Sequence, residues 1–203
     1  MKHSIIISFL LILISCGKAE KLGFADYMSY VENEKNGLSL VKEIADYKIN
    51  VNYQPSEYLA LKESMDKQKQ LSPEKYNNAL PHYSDHYYFH MRIENKNQYN
   101  NPIMEQSDGY DEYSYILQYM SFYAQNDLKL VAGNDTLECV NYHFENNYKL
   151  LPFNDIQMAF RKPEKPSSDN LTLVWDDQVY GVGRIKLEFE NETINSIPQP
   201  IIN

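Results

Sequence analysis

Apolar residues recur at every second position in several short segments, the period of a strand with one buried face. In Tyr47-Lys48-Ile49-Asn50-Val51-Asn52-Tyr53-Gln54 the apolar set is Tyr47, Ile49, Val51 and Tyr53. Tyr87 to Glu94 repeats the pattern, with Tyr87, Phe89, Met91 and Ile93 inward. Asp155–Arg161, Leu171–Trp175 and Arg184–Glu190 add three further strands. Thr136 to Phe144 is apolar on both faces near Cys139, which predicts a central strand. Leu38 to Ile44 forms a hairpin with 47–54 across Ala45-Asp46. One-sided alternation of this kind belongs to antiparallel sheet, whereas a parallel α/β core shows continuous apolar strands.

Three segments change period. Asp111 to Gln125 places Tyr113, Leu117, Met120 and Ala124 on one helical stripe, with acidic residues at its start where the dipole favours them. Ser56 to about Lys69 is a second helix, and Ser72-Pro73-Glu74 opens a short third one. The Asn-rich stretch 95–107 and the stretch 162–170 read as loops. The expected fold is therefore mainly β, in the α+β class. It is an antiparallel β-sandwich-like domain with two or three inserted or flanking helices, its two sheets burying their apolar faces together.

The N-terminus breaks the alternation altogether. After Met1-Lys2-His3, residues 5–14 form a ten-residue apolar run with one Ser. A membrane-spanning helix needs about 20 apolar residues, so the run has the length of a secretory h-region. It ends in Leu13-Ile14-Ser15-Cys16-Gly17, which resembles the lipobox of bacterial lipoproteins. The resemblance implies cleavage before Cys16 and acylation of its sulfur and amino group, and two or more acyl chains give lasting attachment where one does not. The chain then divides into a signal peptide (1–15), a lipidated tether (16–23) and one globular domain (24–203). With Cys16 acylated, Cys139 is the one remaining thiol and reads as a small buried strand residue. Gly17-Lys18-Ala19-Glu20 is mixed in charge, so a periplasm-facing outer-membrane location is expected over surface display.

Composition narrows the partners. The 203 residues carry 28 acidic against 19 basic side chains, a formal charge of −9, which argues against nucleic acid as a ligand. Eighteen Tyr and eight Phe are too many aromatics for a disordered chain. The bilayer, reached through Cys16, is the one partner the lipobox implies.

His82, His86 and His90 stand four apart and, with His143, are the candidates for a metal site. Strand alternation argues against that use, since four strand residues span roughly 13 Å. His86 and His90 then lie on a solvent-facing strip beside Arg92. No metal and no cofactor is expected. Asp108, Asp111 and Glu112 supply oxygen for a loose calcium site but read better as decoration of a helix start. Cys139 and His143 share one strand face at about 13 Å, too far for proton transfer between them. Gly181-Val182-Gly183 precedes a strand, so it is turn chemistry and no phosphate cradle. Most placeable tyrosines point inward, which leaves Tyr88, Tyr99 and Tyr110 as candidates for a ligand-binding surface. Asp135-Thr136-Leu137 resembles a bacterial O-glycosylation motif, with Thr136 as acceptor.

Glu34-Lys35-Asn36-Gly37-Leu38, Tyr53-Gln54-Pro55 through Glu63, His143 to Tyr148 and Gly181 through Phe189 resemble segments of uncharacterised lipoproteins of Bacteroidota-type bacteria. That resemblance implies a location and no chemistry. The expected function is a membrane-anchored envelope lipoprotein that binds or assembles with envelope components. The alternatives are glycan binding through exposed tyrosines and a metal-dependent hydrolase built on the four histidines.

Overall fold

The computed structural model describes residues 21–202 other than 69, 98 and 149. The expected signal peptide, Cys16 and residues 17–20 of the tether lie outside the described residues. In chain order the elements are β1 (Lys21–Gly23), α1 (Phe24–Glu32), β2 (Ser39–Ile44), β3 (Tyr47–Gln54), α2 (Ser56–Ser64) and α3 (Pro73–Tyr83). They continue with β4 (His86–Asn95), α4 (Pro102–Glu105), α5 (Tyr110–Phe122), β5 (Leu128–Ala132), β6 (Asp135–Glu145) and β7 (Phe153–Arg161). The last are β8 (Leu171–Asp176), β9 (Arg184–Phe189), α6 (Asn191–Asn195) and β10 (Gln199–Ile201).

Strands β2 to β9 form one antiparallel sheet in the order β2-β3-β4-β7-β6-β5-β8-β9. The β2–β3 hairpin turns at Ala45-Asp46 as the alternation implied, with Ala45 in the left-handed region at φ 48°. Inward residues match across the ladder: Val51 faces Met91, Met91 faces Ile156, and Ile156 faces Phe144. The other half continues it with Leu130, Leu173 and Leu187.

The sheet is strongly rolled. The rings of Phe89 on β4 and Phe189 on β9 have centroids 5.2 Å apart. Those strands are five places apart in the order, about 24 Å across a flat sheet at the usual ~4.8 Å spacing. Tyr47 on β3 likewise meets Tyr180, from the loop before β9, at 5.2 Å. One sheet therefore supplies both layers of a sandwich-like, nearly closed barrel, where two separate sheets were expected. Strand twist accumulates in one sense, so an eight-stranded amphipathic sheet can cover its own apolar face.

Among the described residues, six helices flank this β-rich α+β domain. Tyr27 of α1, Tyr58 and Leu61 of α2 and Tyr76 of α3 are buried with Tyr53 in the common core. Near the opposite end of β3, Gln106 donates from Nε2 to the Tyr47 hydroxyl at 2.6 Å. α2 ends at Ser64, earlier than its pattern suggested, because the Asp66 carboxylate captures the N–H groups of Gln68 and Gln70 at 2.9 Å each. α1, α4 and α6 were not foreshadowed; α4 and α6 are too short for a periodic stripe, whereas Phe24, Tyr27, Met28 and Val31 line one face of α1. Lys21–Gly23, assigned to the tether, pair in parallel with β10, so the folded part begins before residue 24.

β6 lies fifth in the order and is central, but its two-faced apolarity has a specific cause. A bulge between Cys139 and Asn141 inserts Val140, which is 55% exposed. The extra residue restores the inward phase, so that Leu137, Cys139, Tyr142 and Phe144 all face the core.

Candidate functional site

The outer face of β3, β4, β7 and β6 presents polar side chains in register. One cross-sheet row reads Asn52, His90, Gln157, His143; the row beside it reads Gln54, Tyr88, Ala159, Asn141. Residues adjacent across a ladder are about 5 Å apart, so each row is a continuous strip. Helices stand over one end of these strips. Val31 and Glu32 close α1, while Tyr58 and Lys62 come from α2, and with Asn52, His90 and Gln157 of the first row they enclose a cavity of about 260 Å³. Leu59 and Tyr83 overhang the second row and enclose another of about 230 Å³. Both are lined by Gln54 and Gln157, which makes them two lobes of one groove. Its combined size falls in the range of small-ligand sites, about 300–1,000 Å³.

The groove is rich in unspent hydrogen-bonding capacity. The side chains of Asn52, Gln54, Asn141, His143 and Gln157 bond to no other described residue. Gln54 is only 9% exposed, yet its amide lines both lobes. These free amide valences are open to water or to a ligand.

Fixed charges border the strip. The guanidinium of Arg92 donates twice to Asp155, from Nε and Nη2, at 2.8 Å each, and stacks 3.7 Å above the Phe153 ring. His90 Nε2 lies 3.0 Å from Asp155 Oδ1. Nε2 is therefore the nitrogen that donates to Asp155, because a bare nitrogen cannot face a carboxylate oxygen that closely. Burial alone would raise the Asp155 carboxyl; the hydrogen bonds and charges of Arg92 and His90 outweigh it and hold the group at about 2. The cluster locks the His90 ring and leaves Nδ1 for the groove. At the helical wall, Tyr58 donates to Glu32 at 2.9 Å, and Lys62 Nζ sits 5.3 Å from the Tyr58 ring centre. Tyr83 donates to Glu63 at 2.7 Å, and burial together with that carboxylate pushes its hydroxyl up to about 12. At neutral pH the groove tyrosines are protonated donors.

The structure gathers some of the residues singled out from sequence and scatters others. His90 and His143 share a row, but Gln157 lies between them, so two strand spacings, about 10 Å, separate them. His86 is four residues from His90 along β4, about 13 Å, and His82 is exposed on α3. Among the described residues, no group of three or more His, Cys, Asp or Glu side chains could hold a metal ion. Tyr88 is in the groove, whereas Tyr99 and Tyr110 are 88% and 80% exposed in other parts of the surface. Thr136 is exposed near the start of β6.

Cys139 and His143 lie on opposite faces, a correction that follows directly from the Val140 bulge. Cys139 is opposite inward Phe160 and His143 opposite outward Gln157. Burial pushes the Cys139 thiol up to about 11. Glu112 accepts from the Asp108 N–H at 2.6 Å, using its carboxylate to close the start of α5. Asp177 accepts from the N–H groups of Val179, Tyr180 and Val182 and organises the β8–β9 turn, where Gly181 and Gly183 take positive φ.

The amides were the residues missed. Their signal was present in the alternation: the polar faces of β3, β6 and β7 carry Asn50, Asn52, Gln54, Asn141 and Gln157. The outward positions of β9 instead carry Arg184, Lys186 and Glu188.

The fold and groove define a β-rich α+β domain with a polar cleft on the outside of a rolled sheet. Comparison of the chain with protein-family models, with curated proteins and with solved structures finds no match. Among the described residues no helix is long and apolar enough to cross a membrane.

Proposed function

We propose that this protein is an envelope lipoprotein, held in the outer membrane by acyl chains on Cys16 and facing the periplasm, that acts by binding a glycan in the outer-face groove. The observation that carries the reading is the strip of unpartnered amides Asn52, Gln54, Gln157 and Asn141, with Tyr83 and Tyr88 at its sides. Carboxamides donate and accept at once, which matches sugar hydroxyls that do the same, and tyrosine rings offer apolar faces for the C–H surface of a pyranose. The bordering charges are balanced between Glu32 and Lys62, which suits a neutral ligand.

A glycan array probed with the full chain tests this. Retention should fall at least tenfold in Gln54→Ala, Gln157→Ala and Tyr88→Ala and stay unchanged in Tyr99→Ala and Tyr110→Ala. Retention of no glycan, or equal retention in all variants, refutes it. For the anchor, palmitate labelling should disappear in Cys16→Ser, and equal labelling removes that part of the proposal. Intact-mass measurement of Thr136→Ala against wild type reads the O-glycan proposed at Thr136.

Assembly with an envelope protein is the second reading. It is favoured by the face of α5, where Tyr115, Phe122 and the adjoining Tyr123 are 71%, 67% and 55% exposed. Crosslinking with Phe122→Ala and Tyr115→Ala as controls separates it from the groove.

A further inference from the structure

In the row Gln54, Tyr88, Ala159, Asn141, three positions carry long or planar side chains and one carries a single methyl. Ala159 lines the lobe together with Tyr88 and Asn141, and its short side chain leaves a dip there that the surrounding side chains shield to 3% exposure. Leu59 from α2 and the ring of Tyr83 complete the wall, and Tyr83 meets Tyr88 edge to face at 5.5 Å. The floor is apolar while the rim is not: Gln54, Asn141 and Gln157 present carboxamides with no partner among the described residues.

We propose that this lobe is a pocket for an acetamido group, so that the glycan bound here contains N-acetylated hexose units. The inference rests on the glycan-binding reading above. An acetamido group is one planar unit holding a methyl, a carbonyl acceptor and an N–H donor. The methyl fits the dip over Ala159, where it leaves water for an apolar floor. The carbonyl and N–H meet the rim, whose carboxamides each supply both an NH2 and an oxygen. A hydroxyl at the same sugar position fills no dip and leaves a rim amide unpaired, and sites built to bond a polar group discriminate against ligands lacking it. The neighbouring lobe, with Lys62, Glu32 and His90, takes the hydroxyl-bearing remainder.

Calorimetric titration of the full chain in a non-glycosidic detergent tests the assignment. The probes are N,N′-diacetylchitobiose against cellobiose, and N-acetylgalactosamine against galactose, pairs that differ in the acetamido group. The acetylated member of at least one pair should bind about tenfold tighter or more. Ala159→Leu, which fills the dip, and Asn141→Ala, which removes an exposed rim amide, should each abolish that preference, read as the ratio of the affinities within a pair. Thermal melts check folding, and Asn141→Ala decides the matter if Ala159→Leu does not fold. Equal affinities within both pairs overturn the acetamido pocket and leave glycan binding standing. No binding of any probe also overturns it, and the glycan array then decides the broader reading by itself.

Discussion

Replacing Asp155 by Asn removes the charge that holds Arg92 and His90 over the sheet's outer face. The carboxyl is held at about 2 against an ordinary 3.8, and its side chain is 8% exposed, so solvent screening takes little from the interaction. At ~1.4 kcal/mol per pKa unit the ionised form is worth about 2.5 kcal/mol to the folded state. Arg92 is 38% exposed and recovers some hydration when left alone, which keeps the loss below the 3–5 kcal/mol typical of a fully buried pair. The sign is set by the depressed pKa: the contribution is complete above the unfolded value near 4 and vanishes as pH falls through about 2. Urea unfolding of wild type and Asp155→Asn should therefore differ by about 2–3 kcal/mol at pH 7. The gap should hold down to about pH 5 and narrow steadily toward pH 2. A difference under about 0.5 kcal/mol at pH 7, or one that does not shrink in acid, would refute the reasoning. Arg92→Leu supplies the second arm of the cycle and should couple strongly to Asp155→Asn, since the residues share two hydrogen bonds.

Three other outcomes follow from the packing. Phe89→Ala should cost about 3–5 kcal/mol by chemical denaturation, because one ring contacts Tyr53, Phe160 and Phe189 and links the two layers of the rolled sheet. A loss under 1 kcal/mol would mean that the layers are not joined there. Ala45→Gly should raise stability by about 0.5–1 kcal/mol, seen as a few degrees in a thermal melt, since it relieves a left-handed alanine in the β2–β3 turn; a lowered melting temperature contradicts the turn geometry. Deleting Val140 should give a regular β6, because Cys139 already stands opposite inward Phe160 and Asn141 opposite outward Ala159 with Val140 as the extra residue. Thiol reagents should then modify Cys139 no faster than the wild-type thiol, which burial holds at about 11. A folded deletion variant whose Cys139 reacts about tenfold faster or more would argue against the bulge.

Local chemistry made much of this protein legible before any folding was considered. The strands of 47–54, 87–94, 155–161, 171–175 and 184–190 are written in period two, because a pleated strand sends neighbouring side chains to opposite faces. The string around Cys16 that resembles a lipobox, and on which the proposed anchor rests, is equally local. Other features depend on residues that are distant in sequence. Val140 looks like one more apolar residue until the ladder with β7 shows that it is the extra one, which turns His143 outward and Cys139 inward. One continuous sheet became two layers because twist accumulates over eight strands, bringing Phe89 to Phe189 across a hundred residues of chain. The groove needed the same kind of information: Asn52, His90, Gln157 and His143 form one row only through three registers. Alternation determines which side of a strand a residue faces; register and curvature, which are non-local, determine what it faces there.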